Sequence, residues 1–151
     1  MNKIELVKNT CVEFLEKLGV EGVAVEVDYN KDDDRYSVIL KTEQPGPLIG
    51  YHGNTLSGMQ AFVSQHLHAK TEEWINLSLD VNDYKERREQ SIKILADETV
   101  DKVLSTGQAH ILPPMTAFER RVVHVYLAEH PDVSTESQGE GRQRSVIISP
   151  K

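Results

Sequence analysis

Pro45-Gly46-Pro47-Leu48-Ile49-Gly50-Tyr51-His52-Gly53-Asn54 decides how the first half of the chain is read. Its prolines and glycines hold any helix before Gly50 to about one turn. Beyond it, Leu56, Met59, Phe62, Val63 and Leu67 recur at helical spacing, which predicts an amphipathic helix to about His68 with Asn54 as its N-cap. A lone Gly-x-x-Gly is weak, because such spacings arise by chance and often mark a helix cap. Here the flanks make it specific. Upstream, Ile4, Val7, Cys11, Phe14, Leu15 and Leu18 form a helical stripe closed by Gly19. Val23, Val25, Val27 and Tyr29 then alternate with polar residues as a strand, and Asn30-Lys31-Asp32-Asp33-Asp34 reads as a hairpin loop leading to a second strand at Tyr36, Val38 and Leu40. Downstream, Ile75, Leu77, Leu79 and Val81 alternate as a third strand. The order through residue 82 is α-β-β-short α-Gly-x-x-Gly-α-β.

Residues 84–106 return to a helical pattern through Ile92, Leu95, Thr99 and Val103, closed by Gly107. A helix of that length spans roughly 35 Å at 1.5 Å per residue. It acts either as a stiff connector or by packing onto the last domain. After Leu112-Pro113-Pro114-Met115 comes Phe118-Glu119-Arg120-Arg121-Val122-Val123-His124. On a helix at 116–128, Phe118, Val122 and Val125 share one face, expected to be buried, and Ala117, Arg120, Arg121, His124 and Ala128 form a polar stripe. Two strand-like stretches, 133–137 and 142–149, are joined by a turn at Gly139 and Gly141. Arg142 and Arg144, two residues apart, are expected to project to one face of their strand. Planar guanidinium forks beside a flexible glycine turn, with Ser137 close by, suit phosphate oxygens better than a hydrophobic core. The bland reading of Arg120 and His124 is a solvated face with an incidental i, i+4 pair. Arg142 and Arg144, with Gly139 and Gly141 just before them, weigh against it. For His124 itself, the helical wheel points the ring to solvent, and the competing role is a buried residue holding the helix to the sheet.

The bulk numbers limit the alternatives. The 151 residues make one domain or two small ones, with 38% hydrophobic and 27% charged residues, as in ordinary globular proteins. No apolar run approaches the roughly 20 residues of a bilayer span, and an acidic Glu5 interrupts any signal-like start. Cys11, the single cysteine, excludes an internal disulfide, lies on the apolar stripe and fits a reducing compartment, so a cytoplasmic location is expected. The net charge of −7 is uneven. Residues 1–82 hold 7 Lys/Arg against 13 Asp/Glu, residues 83–107 hold 5 against 6, and residues 108–151 hold 5 against 5. Any polyanion site is therefore a local patch, concentrated toward the C-terminal half, and non-specific affinity should be low.

Enzymatic signals are weak. None of the six histidines (52, 66, 68, 110, 124, 130) has the spacing of a zinc or di-metal site, and His66-x-His68 on a helix separates the rings by about 200°. Gly139-x-Gly141 lacks the Lys-Ser/Thr of a nucleotide loop, and the acidic hairpin tip lacks the Gly and Glu of an EF-hand. Glu119 and Glu140 read as ion-paired carboxylates orienting arginines. Trp74 reads as a core or junction residue. No cofactor or metal is expected.

Two resemblances organise these observations. Leu112-Pro113-Pro114-Met115, the Arg120/His124 pair and Thr135-x-Ser137-x-Gly139-Glu140-Gly141-Arg142-x-Arg144-x-Val146-Ile147-Ile148 resemble the R-three-H domain, which implies single-stranded nucleic-acid binding. Residues 1–82, with Gly50-Tyr51-His52-Gly53 between a short apolar turn and an amphipathic helix, resemble a type II KH domain. In that family the Gly-x-x-Gly loop clamps the sugar-phosphate backbone, helped by the positive end of the following helix. Leu48, Ile49, Leu56 and the adjacent strand would floor the base groove. The central pair, usually basic, is Tyr51-His52 here: Tyr51 can stack on a base or hydrogen-bond a phosphate, and an unperturbed histidine is mostly neutral at pH 7. The loop then either still touches nucleic acid weakly, or the domain serves as a scaffold or dimer surface.

With Val81-Asn82-Asp83-Tyr84-Lys85-Glu86-Arg87-Arg88 at the junction, the whole chain resembles the Jag family, the SpoIIIJ-associated proteins. The expectation is an α+β protein with a KH domain at 1–82 and an R-three-H domain at 83–151 that includes the connecting helix 84–106. Its implied function is non-catalytic binding of single-stranded RNA, or of single-stranded DNA. Arg120 and His124 would contact backbone or base edge, Arg142 and Arg144 phosphate, with Arg121, Ser137, Gly139 and Gly141 beside them and Gly50, Tyr51, His52 and Gly53 on a second stretch of strand. The alternative is an interaction scaffold whose KH half forms a homodimer or pairs with a small stand-alone KH protein. Neither reading involves membrane insertion.

Overall fold

A computed structural model describes residues 2–151 and divides the chain into two units, Met1–Lys85 and Glu86–Lys151. In the first, α1 (Lys3–Lys17) precedes the hairpin of β1 (Ala24–Asn30) and β2 (Arg35–Lys41), and α2 (Gly46–Ile49) with a 3-10 turn (Tyr51–Gly53) leads into α3 (Asn54–Thr71) and β3 (Leu77–Val81). The sheet order is β1-β2-β3. Val27 pairs with Val38 across the antiparallel hairpin, and Val38 with Leu79 across a parallel pair. A parallel pair needs a crossover, and the α2–α3 segment supplies it on the way from β2 to β3. Both long helices bury their stripes on this sheet: Val7, Cys11 and Leu15 from α1 and Leu56, Met59, Val63 and Leu67 from α3 join Val38, Leu40, Leu79 and Val81. Burial pushes the Cys11 thiol up to about 11, so it stays protonated and acts as a small apolar filler.

Asn82 finishes this unit. Held at φ +46°, it accepts from the Thr42 N–H (3.0 Å) and donates to the Thr42 carbonyl (2.7 Å), so a side chain supplies the two bonds that another residue of β3 would make.

Three expectations change here. Phe62 is 52% exposed and stacks on Phe14 at 4.7 Å, because the 56-59-63-67 stripe already fills the core and position 62 falls beside it. Trp74 is also exposed, lying flat against His68 with ring centroids 4.0 Å apart. Asn54 is the first residue of α3, and the N-cap is Gly53 at φ +79°.

The second unit begins in the first turn of α4 (Tyr84–Thr106) and continues through β4 (His110–Ile111), α5 (Ala117–Leu127), β5 (Val133–Gln138), a 3-10 turn (Gly141–Gln143) and β6 (Ser145–Pro150). Its sheet is antiparallel in the order β4-β6-β5. Ile92, Ala96, Val100 and Val103 bring α4 into a core with Val123 and Leu127 of α5 and Val133, Val146 and Ile148 of the sheet. From Ile92 onward, α4 packs as part of this unit. The expected α+β class is the class found.

The motif helix sits differently from its wheel. Its buried line is Glu119, Val123 and Leu127, while Phe118 and Val125 are 58% and 68% exposed. A carboxylate can occupy the buried line because each of its oxygens accepts a hydrogen bond. Glu119 Oε2 accepts from the Thr116 N–H (2.9 Å), its own N–H donates to Thr116 Oγ1 (3.3 Å), and its Oε1 accepts from Arg88 Nε (2.7 Å). The first two bonds form a capping box, and the third is a charge-assisted bond. The last strand is also shorter than expected. Gly141–Gln143 form a tight turn capped by Arg144, so Arg142 and Arg144 both precede the strand, which begins at Ser145, and do not share one of its faces.

Candidate nucleic-acid interface

Met115 joins the two half-buried arginines of the second unit. Its N–H donates to the Arg144 carbonyl (3.1 Å), and its carbonyl accepts from Arg120 Nη1 (2.8 Å). The Arg144 guanidinium donates from Nη1 to the Gly139 carbonyl (2.8 Å). The two guanidinium bonds each use one of an arginine's five N–H donors and fix the orientation of the fork. Gly139 is required at φ +86°, where an added Cβ would lie 3.2 Å from the Gln143 carbonyl oxygen.

His124 lies half-buried between two hydroxyls of β5: Nδ1 is 2.7 Å from Thr135 Oγ1 and Nε2 is 2.7 Å from Ser137 Oγ. Thr135 and Ser137 are two apart on a strand and therefore share a face. In the neutral ring one nitrogen donates and the other accepts, and a hydroxyl can answer either role. The ring therefore clasps α5 to β5, which is the competing, architectural role, and it does not point freely to solvent. Burial, then Arg120, then Arg144 lower the pKa of His124. Protons are thus bound more readily by the unfolded chain. The stability this group contributes is complete above the ordinary histidine value near 6.5 and is lost as pH falls through the lower folded value. The second unit is expected to melt at lower temperature at pH 5 than at pH 7.5, with a shallower dependence in His124→Asn. Identical pH profiles for the two proteins would assign the effect elsewhere.

Arg120, His124, Ser137, Gly139 and Arg144 are thus brought together. Arg142 is exposed on the adjacent turn with Gly141 at φ +55°. Arg121 departs: it lines an apolar groove with Phe118, Val122 and Val125. In the first unit, Gly50 ends α2 at φ +71° and ψ −171°, and Gly53 backs onto the Tyr84 ring, whose Cε1 would lie 3.1 Å from an added Cβ. Tyr51 is 75% exposed and stacks on His52 at 4.0 Å. Leu48 and Leu56 are buried and Ile49 half-buried behind the loop. Sequence reasoning missed Thr135 as a partner of His124, although its two-residue spacing from Ser137 was the available signal. Glu119 is ion-paired with an arginine, as its reading as a paired carboxylate expects, here Arg88, but its burial and its role in the helix cap were missed, although Thr116-x-x-Glu119 is a capping-box pattern. Among the described residues no three His, Cys, Asp or Glu side chains are grouped to hold a metal, and no helix is long and apolar enough to cross a membrane.

This architecture, with a Gly-x-x-Gly loop in one unit and an Arg/His helix against a three-stranded sheet in the next, is that of a KH domain followed by an R-three-H domain. Residues 6–81 match the KhpA/KhpB KH-domain model, and residues 90–150 match the R-three-H domain model. The chain is 35% identical over 150 residues to the RNA-binding protein KhpB of Clostridium symbiosum, covering 97% of this chain and 68% of that protein. It is 32% identical over 143 residues to the KhpB of Lactiplantibacillus plantarum (95% of this chain, 44% of that protein). With the KhpB of Bacillus subtilis it shares 30% over 129 residues (84% and 61%). The chain belongs to the KhpB family, which is the Jag family that its sequence resembles, and it spans less than half the length of the Lactiplantibacillus relative.

Proposed function

We propose that the chain is a non-catalytic, cytoplasmic binder of single-stranded RNA whose principal backbone contacts lie in the second unit. The observation that carries this reading is the pair of oriented forks, Arg120 held by the Met115 carbonyl and Arg144 by the Gly139 carbonyl, with Met115 also bonded to the Arg144 backbone. Such an arrangement offers several N–H donors to one or two phosphates. Arg142 and Arg121 add exposed cations. His124 serves chiefly by holding Ser137 and Thr135 in place, and an anion docked beside it would draw its pKa back up. Relatives named as RNA-binding proteins favour RNA over DNA as the ligand. The 50–53 loop contributes a weaker second contact, because its central residues carry no fixed positive charge.

A second reading, in which the KH half is an interaction surface for a homodimer or a small stand-alone KH protein, is favoured by Phe62, exposed on that unit and stacked on the half-buried Phe14. One titration separates the two. With Arg120, Arg121, Arg142 and Arg144 each neutralising a phosphate, log K should fall against log salt with a slope of about −3, at roughly −0.7 per phosphate on single strands. In fluorescence anisotropy at fixed salt, Arg120→Lys should weaken binding by about 1 kcal/mol or more, since an ammonium cannot reproduce the fork. A flat salt dependence, or full affinity in Arg120→Lys, would favour the scaffold.

A further inference from the structure

Phe118, Val122, Val125 and Tyr126 of α5, with Arg121 and the α4 residues Lys93 and Glu89, form an open groove of about 330 Å³ that the fold leaves uncovered. We propose that this groove is a base-stacking subsite for the same single strand, taking a nucleobase against Phe118 while Arg120 and Arg144 hold the backbone. The inference rests on the phosphate-binding reading and extends it to a second face of the helix.

The groove has the chemistry of a stacking site. Phe118 is 58% exposed, Val125 68% and Tyr126 41%, so an aromatic face and an aliphatic shoulder stand in water. The Tyr126 ring is positioned by its hydroxyl, which donates to Asp97 at 2.9 Å, and Lys93 Nζ lies 5.7 Å from its centroid. Base–aromatic stacking tolerates any base, because every base has a π face. Arg121 makes no ion pair among the described residues. Lys93 pairs with Glu89 at 3.0 Å, an i, i+4 surface pair weak enough to exchange for phosphate. Cations at the margin of an aromatic groove are complementary to a nucleotide, which brings a π face and a negative backbone together.

Position supports the same occupant. At 100° per residue, Arg120 and Phe118 are separated by about 160° around α5, with His124 and then Arg121 on the arc between them. On a helix about 10–12 Å across, that arc is roughly 14–17 Å. A strand leaving the Arg120/Arg144 site across the outer surface of α5 therefore passes His124, then meets Arg121 and Phe118. Without such an occupant, the helix exposes its aromatic residue for no reason the fold supplies, since Val123 and Leu127 already fill the core side.

The test compares two ligands of equal length in anisotropy titrations of the full chain: a labelled single-stranded oligonucleotide, and the same backbone carrying abasic sugars. Phe118→Ala should weaken the base-containing ligand about 5- to 100-fold, as expected for one lost stack, and leave the abasic ligand unchanged. Phe118→Trp should retain affinity for both. Arg120→Ala should weaken both ligands alike. If Phe118→Ala binds the base-containing strand like the parent chain while Arg120→Ala is impaired, the base subsite is overturned and the phosphate reading stands; the groove is then a protein-docking face. Equal weakening of both ligands by Phe118→Ala, or a lowered melting temperature for it, also overturns the subsite. Wild-type behaviour of Arg120→Ala sinks the phosphate reading by itself.

Discussion

Glu119→Ala is expected to destabilise the second unit by about 2–3 kcal/mol, which combines a lost helix cap of about 1 kcal/mol with a lost, largely buried ion pair. Glu119 is 2% exposed; its carboxylate accepts from the Thr116 N–H and from Arg88 of α4, and its backbone N–H donates to Thr116 Oγ1, which closes the first turn of α5. Arg88 retains partial exposure, so its charge can reach water once Glu119 is gone, and the cost stays below that of a fully stranded buried charge. For a unit of this size the melting temperature should fall by roughly 10–20 °C. Circular dichroism would register the loss. The emission of Trp74, the single tryptophan, belongs to the first unit and should be unaffected. Glu119→Gln should recover part of the capping contribution and none of the charge. A Glu119→Ala protein melting within a few degrees of the parent would mean that the buried line of α5 is held by Val123 and Leu127 alone.

Gly50→Ala is expected to cost the first unit about 3 kcal/mol or more. At φ +71° and ψ −171° the backbone occupies a region essentially reserved for glycine. The new methyl would overlap the Thr55 hydroxyl and lie 2.8 Å from Thr55 Cβ and 3.0 Å from its amide nitrogen. Rotating the Thr55 side chain relieves only the first of these. Thr55→Ala in the same protein should therefore restore little, because the Cβ and the amide remain. Trp74 emission during thermal or urea unfolding follows this unit directly. Unaltered unfolding of Gly50→Ala would show that the turn before α3 is free to rearrange, and the loop would then be a poor clamp for any backbone.

The elements legible in the sequence were those whose burial follows one period over several residues: the 56-59-63-67 stripe of α3, the alternation from Leu77 to Val81, and the Gly50-x-x-Gly53 break between short and long helices. What escaped had a physical cause each time. The two-residue β4 is too short to show any period. In α5 the apolar pattern named Phe118 and Val125 as core, because hydrophobicity alone cannot foresee a buried carboxylate whose two oxygens are bonded from α4 and from its own cap. Arg142 was placed on a strand by two-residue spacing, yet Gly141 at positive φ turns the chain first. Within the candidate site, the arginines and glycines announced themselves by type. The clasp of His124 between Thr135 and Ser137 depended on which strand packs beside α5, which no local pattern contains.

The Arg88–Glu119 pair bears on how the second half could be excised. The stretch matched by the R-three-H family model starts at residue 90, two positions after the arginine that neutralises the buried carboxylate. A fragment begun there would enclose an acid without its counter-ion. One begun at Glu86, where the compact unit starts, would carry the neutralising group with it. For this protein the shortest self-sufficient R-three-H polypeptide is therefore longer at its amino end than the family pattern suggests.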